Sequence, residues 1–289
     1  MAQFSALYLG ELDRAHQIAE ELEPLAARIG HIGAAEQARL NREIRELALT
    51  AGVDRFQGFV QNDIEFLRSI GVPWVSGAYS LLASIHCWKG RWPEALDAAH
   101  EAARLEPAGF LAGRDWGTLF LVSAYAGEHD LTRAMFAEKR GELPRSGRVN
   151  TWGQWCVLLT MVEGLAVAGE RDESANLLPL VLEAIDTGLL FCSSNYRLLQ
   201  TVAGIAAASG SHWEKAQGHY ETALRQAHEI PVVIEQPEVR RWYARMLVDR
   251  DAPGDRDKAF RLLTEAIAMY RQIGMPKHLE MAEALLREV

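Results

Sequence analysis

The sequence predicts an all-α protein built from about seven helical hairpins plus a terminal helix, stacked into a right-handed superhelical solenoid. Apolar residues recur at three- and four-residue spacing along the chain, and no alternating strand pattern competes with them. Two sets of glycines alternate along the chain, and the second set lies roughly midway between the members of the first: Gly30, Gly71, Gly109, Gly147, Gly188 and Gly274. The first set recurs at intervals of about 40 residues along the whole chain: Gly10, Gly52, Gly90, Gly127, Gly169, Gly210 and Gly254.

Each glycine of the first set is expected to end one helix in a left-handed cap, and each glycine of the second set to close the next helix. The predicted first helices of the hairpins are residues 1–9, 32–51, 73–89, 114–126, 150–168, 194–209 and 236–250. The predicted second helices are residues 12–29, 54–70, 93–106, 130–140, 172–187, 212–229 and 255–273, followed by a closing helix over 276–288. Alanines are expected where the two helices approach closely: Ala15, Ala95, Ala134, Ala175, Ala216 and Ala259.

Residues 1–289 are expected to form a single domain, because no linker rich in Pro, Gly or Ser divides them. The first predicted helix is only about nine residues long. This suggests that the chain starts inside a repeat, or that it is a short stand-alone relative of longer proteins. An unpaired first helix would leave apolar Phe4, Leu7, Tyr8 and Leu9 uncovered, so self-association into a homo-oligomer through this N-terminal face is one expectation.

Composition limits the classes of partner and the location of the protein. The 289 residues carry a formal net charge of -9, and the sequence lacks the concentrated basic face that direct nucleic-acid binding requires. The longest apolar stretches are too short or too interrupted to span a bilayer, and the N-terminus lacks a signal-peptide pattern. Cys87, Cys156 and Cys192 are not spaced for a disulfide framework or a zinc site. We therefore expect a cytoplasmic protein without a membrane partner.

Two hairpins match a known repeat pattern. The first hairpin is WVSGAYSLLASIHCWKGRWPEALDAAHEAARLEP, and its residues at the positions of the tetratricopeptide motif are Ala83, Gly90, Ala95, Ala102 and Pro107. The second hairpin is LQTVAGIAAASGSHWEKAQGHYETAL, and its residues at motif positions are Gly204, Ala216, Tyr220 and Ala223. The chain therefore resembles the tetratricopeptide-repeat superfamily. Its repeat of about 40 residues, instead of about 34, implies longer helices or loops in each unit.

The C-terminal segment carries a second resemblance through RRWYARML, APGDRDKA and IGMPKHLEMAEALL. It is similar to the C-terminal tetratricopeptide region of bacterial ATPase-containing transcriptional regulators and of adenylate or guanylate cyclases. The resemblance implies a signalling or regulatory module. The chain has no GxxxxGK[ST] phosphate loop, so ATPase activity is not implied for it.

A stripe of polar and aromatic residues marks the candidate binding site. These residues stand at the starts of successive first helices, and the repeat should place them along one edge of the superhelix: Trp74, Arg114, Asp115, Trp116, Asn150, Trp152, Trp155, Asn195, Tyr196, Arg197, Arg241 and Trp242. In one interpretation, Asp115, Asn150 and Asn195 cap helices and the tryptophans fill gaps between repeats. In the other, the stripe binds a partner through its aromatic and arginine side chains.

The inner wall of the groove can be placed by the offsets of the tetratricopeptide motif, which select Ser84, Trp88, Arg241 and Arg245 among mostly small, neutral residues. A highly charged clamp for a peptide carboxylate is not favoured by such a wall. The resemblance implies a non-catalytic module that binds a protein or peptide segment, or a small effector, in the concave groove.

No catalytic, metal or cofactor motif stands out. His212 and His219 lie seven residues apart without an HExxH motif, and no GxSxG sequence surrounds a serine. We expect no cofactor and no enzymatic activity. The alternative is an enzyme or small-molecule-binding protein with a closed pocket inside the superhelix, lined by Arg114, Asp115, Trp116, Trp152 and Arg241.

Overall fold

Helices make up most of the protein, and the predicted all-α class is confirmed. A computed structural model describes residues 6–72, 74–192 and 196–289, of which residues 6–8 are helical. The helices that follow are α1 (Leu12–Arg28), α2 (Ile32–Thr50), α3 (Val53–Ser69), α4 (Val75–Trp88), α5 (Trp92–Arg104), α6 (Arg114–Tyr125), α7 (His129–Lys139), α8 (Trp152–Val167), α9 (Arg171–Asn176), α10 (Leu178–Asp186), α11 (Leu199–Ser209), α12 (Trp213–Glu229), α13 (Glu235–Arg250), α14 (Asp255–Ile273) and α15 (Pro276–Leu286). A 3₁₀ turn covers Arg140–Glu142, and two short strands, β1 (Phe191–Cys192) and β2 (Arg197–Leu198), pair antiparallel.

Five largely buried helices pack in series, and we call them the inner helices and their arrangement the inner layer. Helix α4 packs against α6, α6 against α8, α8 against α11, and α11 against α13. Helix α8 is buried on nearly every side, as its uniformly apolar sequence requires. Glycine allows the close approach: a β-carbon at Gly204 of α11 would lie 2.7 Å from the Tyr220 ring, and one at Gly164 of α8 would lie 2.6 Å from Phe120.

The glycine caps follow the prediction with two exceptions. All six glycines of the second set have positive φ angles, as do most of the first set. Gly52 and Gly210 do not, because Ala51 and Ser211 beside them adopt the left-handed conformation instead, with φ angles of 52° and 56°. The prediction that every first-set glycine takes the left-handed cap is therefore wrong at these two positions.

The prediction that alanines lie where two helices approach closely is wrong at two positions. Ala134 is exposed and Ala175 is only half-buried, whereas Thr132 and Ser174, five residues after their glycines, are buried. Each hydroxyl is satisfied by a backbone carbonyl: Thr132 Oγ1 donates to Glu128 O, and Ser174 Oγ donates to Val162 O. A small polar side chain can therefore replace alanine where it finds an acceptor.

Two predicted helices differ from the observed elements. The helix predicted over 172–187 is divided between α9 and α10, because Pro179 has no N–H to donate back to Ala175 and its ring disfavours a continuous helix. The helix predicted over 194–209 begins only at Leu199. Before it, β1 pairs with β2, with Phe191 opposite Leu198 and Cys192 opposite Arg197.

The N-terminal third of the chain contacts the C-terminal third directly. The Leu190 N–H donates to Tyr8 O at 3.0 Å, the Val233 N–H donates to Ala48 O at 2.8 Å, and α15 packs against α4. Leu7 and Tyr8 are consequently buried, with the Tyr8 ring 3.9 Å from that of Trp152. Leu7 and Tyr8 are therefore not part of the uncovered face that was predicted to drive self-association, whereas Leu9 is 38% exposed, and Phe4 lies outside the described residues.

Within the described ranges, none of the helices combines the length and the apolar character needed to cross a membrane.

Candidate functional site

A network of buried charged side chains lies where the inner helices meet. It consists of Glu163 on α8, Arg197 on β2, and Glu235, Glu238 and Arg241 on α13, with Tyr125, Tyr270 and His278 around them. We call these eight residues the buried network. Because they come from six different helices and strands, the network connects segments that are far apart in sequence.

Arg197 is the centre of one half of the network. Its guanidinium forms a bidentate pair with Glu163, with Nη2 to Oε1 at 2.6 Å and Nε to Oε2 at 2.9 Å. Its Nη1 donates to Glu235 Oε2 at 2.6 Å, and its Nη2 also reaches Glu238 Oε2 at 3.2 Å. Glu235 Oε1 in turn accepts from the Thr201 hydroxyl and the Leu198 N–H. Each nitrogen of this buried guanidinium therefore donates to a carboxylate.

Arg241 is the centre of the other half. Its Nη2 donates to Glu238 Oε2 at 2.8 Å and to the Tyr125 hydroxyl at 3.0 Å, and its Nε donates to the Tyr270 hydroxyl at 3.2 Å. The two tyrosines link Arg241 to further carboxylate oxygens: Tyr125 donates to Glu163 Oε1 and Tyr270 donates to Glu238 Oε1, each at 2.5 Å. Glu238 is thus held between both arginines.

The charges of the network are unequal, since three carboxyl groups face two guanidinium groups. Burial raises the pKa of Glu235 to about 7, although Arg197 opposes this shift. Burial also acts to raise the pKa of Glu238, but Arg241, then His278 and Arg197, hold it well below its usual range. Burial lowers the pKa of His278 to about 4, against the attraction of Glu238. Near neutral pH, His278 is therefore uncharged and Glu235 is the group that can take up a proton.

A cavity of about 530 Å³ opens beside Arg241, and we call it the C-terminal cavity. Of the residues predicted to bind a partner, it brings together Arg241, Trp242 and Arg245. Its walls include small residues of α6, α8 and α11: Ala124, Ala166, Ala208 and Ser209. Two buried donors on its wall, the Tyr220 hydroxyl and the Trp242 indole N–H, have no hydrogen-bond partner within the described residues.

Arginines dominate the charge of the C-terminal cavity. Arg171, Arg241 and Arg245 line it, against one acidic side chain on the same wall, Asp249. Arg171 Nη1 pairs with Asp249 Oδ2 at 2.7 Å, and Arg245 Nη1 pairs with Glu288 Oε2 at 2.8 Å. All three arginines are therefore already paired with carboxylates, since Arg241 also bonds to Glu238 at 2.8 Å.

A second cavity of about 430 Å³ lies among α2, α3, α4 and the start of α6, and we call it the N-terminal cavity. It brings together two other predicted residues, Trp74 and Arg114. Arg114 forms a bidentate pair with Asp115, and its guanidinium packs against Gly77, where a β-carbon would lie 2.6 Å from Nη2. Asp63 also lines this cavity, and burial, then the nearby Glu36, raise its pKa to about 7, while Arg39 opposes the shift.

We expect the Asp63→Asn variant to be more stable than the wild type at pH 8, by about 1–3 kcal/mol. Because the folded-state pKa of Asp63 lies above its ordinary value of 3.8, the folded protein binds more protons than the unfolded chain between about pH 4 and pH 7. The wild type therefore loses stability as the pH rises through this range, and the neutral amide does not. Urea unfolding at pH 5 and pH 8 measures the difference; a variant with the same pH dependence as the wild type would contradict the assignment.

A third, much smaller cavity of about 30 Å³ contacts the buried network. It is lined by two further predicted residues, Ser84 and Trp88, together with Arg197, Cys87 and His278. Burial raises the pKa of the Cys87 thiol, so this cysteine is a poor nucleophile near neutral pH. A cavity of this size holds about one water molecule.

The remaining predicted residues support the fold. Trp152 and Tyr196 are buried, and Trp155 and Trp116 are half-buried, Trp116 packing against Phe120. Asn195 lies outside the described residues.

The capping interpretation is also corrected. Asp115 is fully buried and accepts from Ser80 Oγ at 2.8 Å, while the Glu106 carboxylate accepts the Asp115 and Trp116 N–H groups that open α6. Thr151, not Asn150, caps α8 through a capping box with Gln154. Asn150 instead holds the preceding loop through the backbone of Arg145.

Sequence reasoning missed most of the buried network: Tyr125, Glu163, Glu235, Glu238, Tyr270 and His278. One signal was present, since Glu163 is the only charged residue in the helical sequence WGQWCVLLTMVEGLAV. An ionised side chain inside such an apolar helix needs a buried partner. Which partner it finds depends on residues of other repeats, which the spacing within one repeat does not show.

Comparisons with known proteins assign no family to the chain. No protein-family model matches the sequence, and no curated protein matches it at a significant level. In the described part of the chain, no group of three or more His, Cys, Asp or Glu side chains could hold a metal ion. Evidence for function therefore comes from the two large cavities and the buried network.

Proposed function

We propose that this chain is an effector-sensing module, a tetratricopeptide-like superhelix whose C-terminal cavity binds a small anionic molecule. The observation that carries the proposal is the position of Arg241. Its side chain lines the cavity and also belongs to the buried network. A ligand that contacts this guanidinium therefore competes directly for bonds that hold the inner helices together.

The lining of the cavity supports an anion with an apolar part. Arg171 and Arg245 can each give charge-assisted hydrogen bonds to a carboxylate or phosphate, in exchange for their present pairing with Asp249 and Glu288. The unpartnered donors of Tyr220 and Trp242 need acceptors, which an anion provides. Alanine and other apolar side chains cover the rest of the wall, and the volume lies within the range of small-molecule sites.

The buried network offers a route from the cavity to the rest of the chain. Arg241 is bonded to Tyr125 at the end of α6 and to Tyr270 on α14, and both tyrosines bond to carboxylates that Arg197 also contacts. Binding that draws Arg241 toward the cavity would change how Glu238 is shared between the two arginines. We propose that this change is what a cytoplasmic bacterial regulator, or a protein partner of the module, detects.

An enzyme is the second candidate, because the network contains a buried titratable pair. His278 Nε2 lies 3.9 Å from Glu238 Oε1, and both side chains are buried. However, the cavity that His278 lines is about 30 Å³, which leaves no room for a substrate beside the pair. The non-catalytic module is therefore the better supported proposal.

Anion binding can be tested with three probes of matched shape: 3-phenylpropionate, phenyl phosphate and the neutral 3-phenylpropanamide. We expect the two anions to bind and the amide to bind at least tenfold more weakly, as measured by isothermal titration calorimetry. Arg245→Ala should weaken binding of the anions by roughly tenfold, because it removes one charge-assisted partner worth about 1.4 kcal/mol.

The matched control is Arg225→Ala, which removes an exposed arginine of α12 from a long 3.9 Å pair with Glu229. This variant should bind the anions like the wild type. Equal binding of the amide and the acid, or unchanged binding by Arg245→Ala with its fold intact by circular dichroism, would contradict the proposal.

A further inference from the structure

The N-terminal cavity differs from the C-terminal cavity in its charge and in its walls. Its lining is mostly apolar, with side chains of Leu40, Ile44, Leu67, Leu81 and Leu111. Its one arginine, Arg114, is neutralised by the bidentate pair with Asp115. The charge left to this cavity is therefore that of its two acidic residues, Glu36 and Asp63.

Glu36 and Asp63 project from neighbouring helices, α2 and α3, into the same cavity. The nearby Glu36 adds to the effect of burial in raising the pKa of Asp63, because two carboxylates that face one cavity repel each other when both are ionised. Arg39 pairs with Glu36 at 2.8 Å, but its side chain is half exposed. It therefore offsets the charge of Glu36 from the solvent side and not from inside the cavity. A cation inside the cavity would relieve this repulsion and let both carboxylates ionise.

Asn41 is the second, independent feature. It is 2% exposed and lines the cavity, and its Nδ2 has no hydrogen-bond partner among the described residues. Its Oδ1 already accepts from Gln37 Nε2 at 3.0 Å, so the free donor is the part of the amide still to be satisfied. A buried donor without a partner costs about 1–3 kcal/mol, which a ligand with an acceptor oxygen would recover.

Trp74 forms the exposed rim of the same cavity. Its side chain is 44% exposed, and its indole packs on the backbone of Gly33, where a β-carbon would lie 3.1 Å from the ring. An indole in this position can cover an apolar ligand body or stack with an aromatic one.

We propose that the N-terminal cavity is a separate site for an organic amine whose apolar body also carries a hydrogen-bond acceptor. The ammonium group bonds to Asp63 and Glu36, the acceptor takes the free Asn41 N–H, and the body lies against the leucines beneath Trp74. This site is separate from the anion site proposed for the C-terminal cavity, because α6 is the one described helix that lines both and it contributes its opposite ends to them.

Three probes of similar size test the proposal: tyramine, which has an ammonium and a hydroxyl; 2-phenylethylamine, which lacks the hydroxyl; and 3-(4-hydroxyphenyl)propionate, which replaces the cation by an anion. We expect tyramine to bind most tightly, 2-phenylethylamine several-fold more weakly, and the anion not to bind at this site. Titration calorimetry gives the affinities, and tyramine-induced NMR shifts at Trp74, absent from a Trp74→Leu variant, locate the site.

Two variants separate the contributions of the cation and the acceptor. Asp63→Asn should lower the affinity for both amines at least tenfold while the protein stays folded and gains stability at pH 8. Asn41→Leu should remove the preference for tyramine over 2-phenylethylamine. The matched control, Asp54→Asn, changes an exposed carboxylate of the same helix and should leave amine binding unchanged.

The two proposed sites can fail independently. Unchanged tyramine binding by Asp63→Asn, or equally tight binding of the anionic probe at Trp74, would overturn the amine site. Neither result would change the expected loss of phenyl phosphate affinity in Arg245→Ala, because that affinity reports on the C-terminal cavity.

Discussion

Replacing Arg197 with alanine is expected to destabilise the protein by about 3–5 kcal/mol. Among the described residues, Arg197 is the guanidinium that contacts Glu163, Glu235 and Glu238 together, and the substitution removes it. Of these three carboxyl groups, only Glu238 would still contact a guanidinium, that of Arg241. Ionised carboxylates without a partner carry a large desolvation cost, so they must either take up protons or draw water into the core. Urea unfolding at pH 7 measures the loss.

The control for Arg197→Ala is Arg225→Ala, whose exposed ion pair should contribute nothing measurable. A second comparison, at pH 5, tests the mechanism. Protonating the carboxyl groups relieves the uncompensated charge, so the deficit of Arg197→Ala relative to the wild type should shrink as the pH falls. A deficit that is small at pH 7, or that does not change with pH, would show that the network is not stabilised by this cation.

The second large effect is expected for Gly153→Ala, which should destabilise the protein by about 3 kcal/mol or more. Gly153 lies in the first turn of α8, and its N–H donates to Phe110 O at 3.0 Å. A β-carbon there would lie 2.0 Å from Ala112 O and 2.6 Å from the Leu111 carbonyl carbon. These are backbone atoms, so the whole segment before α6 would have to move. Thermal and urea unfolding both report the change.

The same substitution in an open position should act in the opposite direction. Gly58 lies inside α3 on an exposed face, and a β-carbon there would meet no atom within 4 Å. Gly58→Ala is therefore expected to stabilise the protein by about 0.5–1 kcal/mol, because alanine loses less conformational entropy in a helix. Stabilisation by both variants would show that the contact at Gly153 is looser than described.

The buried network is more than the fold requires. A group of apolar side chains of similar volume would stabilise the inner layer at least as well, since the desolvation of buried ions offsets most of their attraction. The network does, however, make the inner helices depend on one another through directional bonds, and it ends at a cavity wall. This arrangement is the physical basis for proposing that occupancy of the C-terminal cavity is sensed by the rest of the chain.

The helices themselves were predictable from the sequence. Three- and four-residue spacing of apolar side chains and the two glycine sets placed most helix ends within a few residues, because these signals act over a single turn. The two wrong predictions of helix bounds also have local causes. Pro179 divides one predicted helix. Before α11 begins, Arg197 belongs to the strand β2, and the sequence there has no alternation of apolar and polar residues that would predict a strand.

The candidate site was only partly predictable. The repeat offsets selected Arg241 and Arg245, which line one cavity, and the stripe at the helix starts included Trp74 and Arg114, which line another. They did not predict that Arg241 would bond to Tyr125, 116 residues away, or that Asp115 would be buried against Ser80. A motif defines which side of a helix faces inward, but the partner that meets it there comes from a different repeat.

The sequence by itself determined the all-α class and the positions of the helices, because helix propensity, capping and amphipathic spacing are properties of neighbouring residues. Only the tertiary structure decided which charges are paired, which donors are left without a partner, and where the two cavities lie. Those properties depend on distances between residues far apart in the chain, and a buried charge such as Glu163 acquires its role only from what is packed against it.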